Sequence, residues 1–178
     1  MTLGELNVLG RDRFVSVLSR IFEQSPWVAE RAWQHRPFTG LDHLHAAMVT
    51  EVESAGHAAQ LRLLQAHPDL GARVELSALS AAEQCGAGLD RLTASTRDRL
   101  RQLTAAYRAK FGFPFLIALR GCSAPDVVDD VILAIERRLP ASPDEERREA
   151  LSQVYRIAAF RLDDVAADRG LDGEGAPA

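Results

Sequence analysis

The sequence predicts an all-α protein, a single-domain helical bundle of about seven or eight helices. Apolar residues recur at helical spacing, strand-like alternation is almost absent, and Pro, Gly and capping residues cut the helical material into segments. At 178 residues and 47% hydrophobic, the chain fits one domain whose core needs no disulfide or metal staple. Residues 1–169 are expected to form that domain, with the polar tail 170-GLDGEGAPA-178 flexible beyond it.

Phe14, Val17, Leu18 and Ile21 mark one helical face, and Leu41, Leu44, Met48 and Val52 another. Between them, Ser25-Pro26 places proline at a first helical position. A run rich in Ala, Leu and Gln then stops at His67-Pro68, and 66-AHPDLGARVELSALS-80 reads as a connection because of Pro68, Gly71 and Val74. Ser80 and Glu83 have the S-x-x-E spacing of a helix start. A second irregular stretch, 111-FGFPFLIALRGCS-123, holds three aromatics and a proline. The acids of 142-SPDEE-146 suit a positive helix end, so a last long helix is expected from about Pro143 to Asp168. Ala150, Val154, Ile157, Phe160, Leu162 and Val165 supply most of its buried face, with Arg156 and Arg161 near it.

Charge and cysteine usage narrow the function. A net charge of -4 leaves no basic field for nucleic acid, and no apolar run approaches the roughly 20 residues of a membrane helix. Two cysteines, Cys85 and Cys122, without a signal-like start, point to free thiols in a reducing compartment. The ending APA lacks an S-K-L peroxisomal address, so a cytoplasmic location is expected.

Chemistry is expected in the two irregular stretches. His67 carries the one side chain that titrates near neutrality, and Pro68 restricts the backbone that presents it. The same position also suits a histidine that merely complements a helix C-terminus. Ser80, Glu83 and Gln84 put a hydroxyl, a carboxylate and an amide at a helix N-terminus, either as a plain capping box or as a polar binding cluster. In F-G-F-P-F, Phe111 and Phe113 read as core. The following backbone from Phe115 to Leu119 must find hydrogen-bond partners, and a planar heterocycle would supply them. His43, His45, His57 and His67 cluster in sequence, but His43 and His45 point about 200° apart on a helix and no metal-binding motif is present, so no metal site is expected.

Taken together, H-P-D-L-G at 67–71, S-x-x-E-Q-x-x-A-G-L-D at 80–90, Y-x-x-K-F-G-F-P-F at 107–115 and I-A-x-x-R-L at 157–162 resemble the 2-oxo-4-hydroxy-4-carboxy-5-ureidoimidazoline (OHCU) decarboxylase family of urate (purine) breakdown. The resemblance runs from about Phe14 to Val165. It implies an all-α homodimer that converts OHCU to (S)-allantoin and carbon dioxide without metal or organic cofactor. By matching positions, His67 takes the acid/base role and Glu83 that of its catalytic partner. Pro68, Ser80, Gln84 and the backbone of Phe115, Leu116, Ile117, Ala118 and Leu119 match substrate contacts, as does Arg161, with Arg156 the second choice. The segment between His67 and Ser80 is a little short for the family pattern, which bears on the placement of Glu83. The competing expectation is a helical interaction module that has kept the fold and lost catalysis.

Overall fold

The computed structural model describes residues 1–69, 93–119 and 124–169, and within them it is helical with no strand. The chain divides into two compact units. One comprises Met1–Ala66 with the helix from Val154 onward, and the other His67–Gln153. Ser80, Glu83, Gln84, Cys85, Cys122 and the tail lie outside the described residues.

The first unit begins with α1 (Leu3–Val8), closed by a capping box in which the Glu5 N–H donates to Thr2 Oγ1 at 3.1 Å and the Thr2 N–H to Glu5 Oε2 at 2.8 Å. Then follow α2 (Arg11–Leu18), α3 (Pro26–Ala32) with Pro26 in its first turn as expected, a 3-10 turn (Trp33–His35), α4 (Leu41–Ser54) and α5 (His57–Gln65). Leu44, Met48 and Val52 are fully buried along α4. Ile21 lies beyond the end of α2, its N–H on the Leu18 carbonyl at 3.1 Å, and is still buried. Asn7 ties α1 to the segment before α4, because its side-chain amide donates to the Phe38 carbonyl (2.9 Å) and accepts from the Phe38 N–H (2.8 Å). Two backbone groups that no helix satisfies are thereby paired.

In the second unit, α6 (Ala94–Phe111) starts at Thr93, whose hydroxyl accepts from the Thr96 N–H, and ends at Gly112. Gly112 has φ +79°, the left-handed conformation that a glycine adopts at no steric cost, and its N–H closes onto the Arg108 carbonyl at 2.9 Å. The helix therefore stops inside F-G-F-P-F and releases an irregular strip. After the strip come α7 (Ala124–Arg138) and α8 (Pro143–Arg169), whose N-terminal part belongs to this unit and whose C-terminal part belongs to the first.

The long last helix is where expected, but its buried face is set differently. Ala150, Leu151, Val154, Ala158, Leu162 and Ala166 are buried, whereas Ile157, Phe160 and Val165 are half-buried. The buried row steps by four residues from Glu146 to Ala166, an i±4 ridge that passes through small alanines. Counting bulky residues misses such a row because alanine signals little hydrophobicity.

Ser142 and Glu145 open α8 as a capping box. The hydroxyl donates to Glu145 Oε2 at 2.6 Å, the Ser142 N–H donates to the same oxygen at 3.0 Å, and the Glu145 N–H reaches back to Ser142 Oγ at 3.4 Å. The Ser142 side-chain bond, then its backbone bond, hold the Glu145 carboxyl below its ordinary pKa. A depressed carboxylate pKa stabilises the fold above the unfolded value and loses that contribution as pH falls through the folded value. Ser142→Ala is therefore expected to lower the melting temperature most at neutral pH. Melts across pH should show the gap to wild type narrowing below about pH 4.3.

Candidate active site

His67 follows directly on Ala66, the C-cap of α5, whose N–H bonds to the Arg62 carbonyl at 3.0 Å. The imidazole is not a solvent-exposed helix terminus, for His67 is only 5% exposed. Two residues on, Asp69 accepts from Arg108 on α6 at 2.9 Å, which fastens the His67-Pro68-Asp69 corner to that helix. Arg108 went unnoticed in the sequence, where its spacing of 39 residues from Asp69 leaves no local signal.

Immediately before Arg108 stands Tyr107, which has no exposed surface and organises the aromatic stretch. Its ring lies 4.7 Å from Phe111, 5.9 Å from Phe113 and 5.1 Å from Phe115, the last two edge to face. Phe111 and Phe113 are buried, in keeping with their reading as core, and Phe115 is buried completely. Adjacent residues of α6 thus fasten the histidine corner and the start of the 113–119 strip.

The strip rests on a buried charge cluster that the sequence did not disclose. The Tyr107 hydroxyl donates to Glu146 Oε1, and the Arg138 guanidinium donates to the same oxygen through Nε (2.9 Å) and through its second terminal nitrogen. Arg138 Nη1 donates to the Leu116 carbonyl at 2.8 Å, and the guanidinium carbon stands 4.6 Å over the Phe115 ring. One step along, the Ala118 N–H donates to Gln153 Oε1 at 3.0 Å, and Gln153 Nε2 donates to Glu149 Oε1 at 2.8 Å. Burial, and then the bond to Glu146, push the Tyr107 phenol above its ordinary pKa.

Arg161 lies in the first unit. It pairs with Glu23 Oε2 at 2.6 Å and donates to the carbonyls of Arg20 and Ile21 at 3.1 and 3.3 Å, whereas Arg156 is exposed. His45 donates to the Tyr155 carbonyl at 2.9 Å, and His43 Nδ1 accepts from the Thr39 N–H at 3.3 Å. Among the described residues no three His, Cys, Asp or Glu side chains gather as metal ligands. No helix among them is long and apolar enough to cross a membrane.

These features define an all-α protein with a buried histidine at a helix stop and a non-helical backbone strip braced by buried charge. Comparison with known proteins identifies the class. The sequence matches the OHCU decarboxylase family over residues 7–163. It is 44% identical over 162 residues to the 2-oxo-4-hydroxy-4-carboxy-5-ureidoimidazoline decarboxylase of Haloferax volcanii, covering 91% of this chain and 94% of that protein. A crystal structure of (S)-allantoin synthase superposes with a TM-score of 0.75 at 30% identity, over 93% of this chain and 54% of the other. The crystal structure of an OHCU decarboxylase in the presence of (S)-allantoin shares the fold, with a TM-score of 0.61 at 19% identity, over 89% of this chain and 100% of the other. The chain belongs to the OHCU decarboxylase family.

The charge cluster generates a stability prediction. Removing one partner of a buried ion pair leaves the other charge uncompensated, so Glu146→Gln is expected to cost about 3 kcal/mol or more. Tyr107→Phe, which removes one bond to a charged acceptor, is expected to cost about 1.5–3 kcal/mol. A raised phenol pKa contributes stability that is whole below the unfolded value of about 10 and lost as pH rises above it. Denaturant titrations should therefore show the advantage of wild type over Tyr107→Phe shrinking above about pH 10.

Proposed function

We propose that this protein decarboxylates OHCU to (S)-allantoin in urate breakdown, with no metal or organic cofactor. The observation that carries the reading is the family match over residues 7–163, which spans His67, Glu83, Gln84 and Arg161. The chemistry explains why so few groups are required. The carboxylated ring carbon of OHCU adjoins a carbon double-bonded to nitrogen. When the bond to the carboxylate breaks, its electron pair becomes a carbon–carbon double bond and the C=N electrons move to nitrogen, which takes a proton. The sink that other decarboxylases obtain from a cofactor is part of the substrate.

The enol-like intermediate then loses its hydroxyl proton, and the carbon bearing the ureido arm gains one. His67 accepts the first proton, delivers the second, or does both in turn. Delivery to one face gives one enantiomer. Glu83 is the partner that orients His67 or bonds the substrate hydroxyl. Pro68, Ser80, Gln84 and the backbone from Phe115 to Leu119 hold the ring and ureido arm. Arg161 takes the anchor role by sequence match, since a guanidinium suits a carbonyl or a carboxylate. We assign the working form to a cytoplasmic homodimer built from residues 1–169.

An open cleft of about 430 Å³ in the second unit is lined by Arg137, Arg138, Ala141, Glu145, Glu146 and Glu149. It holds none of the matched residues.

The test is to generate OHCU from urate with the upstream enzymes and follow allantoin by circular dichroism. Wild type should accelerate product formation and give an excess of the (S) form over the racemic spontaneous product, and no gain in either would overturn the assignment. His67→Ala and Glu83→Ala should stay folded and lose about 100-fold or more in turnover. If Glu83 were only a helix cap, its variant would keep activity and lose about 0.5–2 kcal/mol of stability.

A further inference from the structure

The 115–119 strip cannot offer all of its backbone to a ligand, because two of its groups are already engaged by the scaffold. The chain runs from Pro114 to Leu119 without a helical turn or a bend, and none of these residues has a positive φ. In an extended backbone the N–H and C=O of one residue point to one edge, and those of the next residue to the opposite edge. Leu116 gives its carbonyl to Arg138 and Ala118 its N–H to Gln153, the two-residue spacing at which groups share an edge of an extended backbone. No hydrogen bond among the described residues takes up the N–H or C=O of Phe115, Ile117 or Leu119.

From this alternation we infer that Arg138 and Gln153 are positioning residues. They dock the even edge of the strip so that Ile117 and Leu119, the part-exposed residues of the odd edge, meet the amide-like donors and acceptors of the substrate. The inference rests on the OHCU decarboxylase reading and narrows its five-residue contact to these two. Both braces are preorganised. Arg138 is fixed by the buried Glu146 carboxylate and by Phe115, and it is 7% exposed. Gln153, also 7% exposed, has its amide orientation fixed by Glu149, because the reverse orientation would set its NH2 against the Ala118 N–H and its oxygen against a carboxylate. Neither side chain exchanges a proton in the reaction. Their effect is on where the odd edge lies, and therefore on substrate binding more than on the proton transfer at His67.

Gln153→Met keeps the length and bulk of the side chain and removes the acceptor. It is expected to raise KM for OHCU about tenfold while kcat stays within about threefold of wild type and the kcat pH profile is unchanged. Amide hydrogen exchange on the wild-type protein provides an arm that needs no variant. Ala118 should be protected in the free protein, and (S)-allantoin should add protection at Ile117 and Leu119. A KM within about twofold of wild type in a folded Gln153→Met, or product-induced protection at Ala118 in place of its neighbours, overturns the positioning role alone. A wild type that neither turns over OHCU nor gains protection from (S)-allantoin overturns the decarboxylase reading, and this inference with it.

Discussion

The buried carboxylate of Glu146 is the contact on which the second unit depends. One of its oxygens receives the Tyr107 hydroxyl and two nitrogens of Arg138, and the side chain is 1% exposed. An ionised group so far from water is tolerable only when paired and hydrogen-bonded, because desolvation otherwise exceeds the attraction. Here the charges are arranged so that each donor also serves the strip. Tyr107 supplies the ring against which Phe111, Phe113 and Phe115 pack, and Arg138 holds the Leu116 carbonyl. Apolar replacements could fill the same volume, but they would leave that carbonyl without a donor. Retaining a buried ion pair in this place is thus explained by backbone satisfaction, with net stability a secondary matter.

Local chemistry made much of the architecture legible. Pro26 opens a helix, Pro68 follows the end of one, and the acids of 142-SPDEE-146 stand in the first turn of the last, each a signal confined to a few neighbouring residues. What stayed hidden acts over distance. Arg138 meets Leu116 across 22 residues, Gln153 meets Ala118 across 35, and Glu146 meets Tyr107 across 39. No periodicity encodes those pairings, since they come into being only when separate helices pack. The buried face of α8 differs from the sequence expectation for a related reason, because Ala158 and Ala166 are buried for their smallness rather than their hydrophobicity.

The candidate residues show the same division. The spacing S-x-x-E occurs at Ser80-Glu83 and again at Ser142-Glu145, and the second is a plain capping box. Spacing alone therefore cannot separate a cap from a catalytic carboxylate, and it was the ordered combination of motifs along the chain that favoured chemistry at Glu83. For His67 the structure adds the surroundings of the motif, a buried imidazole beside a corner fastened by Asp69 and Arg108.

An all-helical enzyme that must hold a planar ring bearing a ureido arm faces a shortage of backbone groups, because a helix consumes its own N–H and C=O along its whole length. Only helix ends and non-helical segments have any to spare. A non-helical segment inside a helical protein brings the reverse difficulty, since an extended strip has two polar edges and a ligand can satisfy one. In a β protein the neighbouring strand takes up the other edge. Here no strand is present among the described residues, and side chains from α7 and α8 do that work, Arg138 as donor to a carbonyl and Gln153 as acceptor from an N–H. The long guanidinium needs an anion to hold its geometry, which brings in Glu146, and the glutamine needs its amide oriented, which brings in Glu149. Arg138, Glu146 and Gln153, buried polar residues of this unit, are thus accounted for together by the pairing of one edge of a short backbone strip.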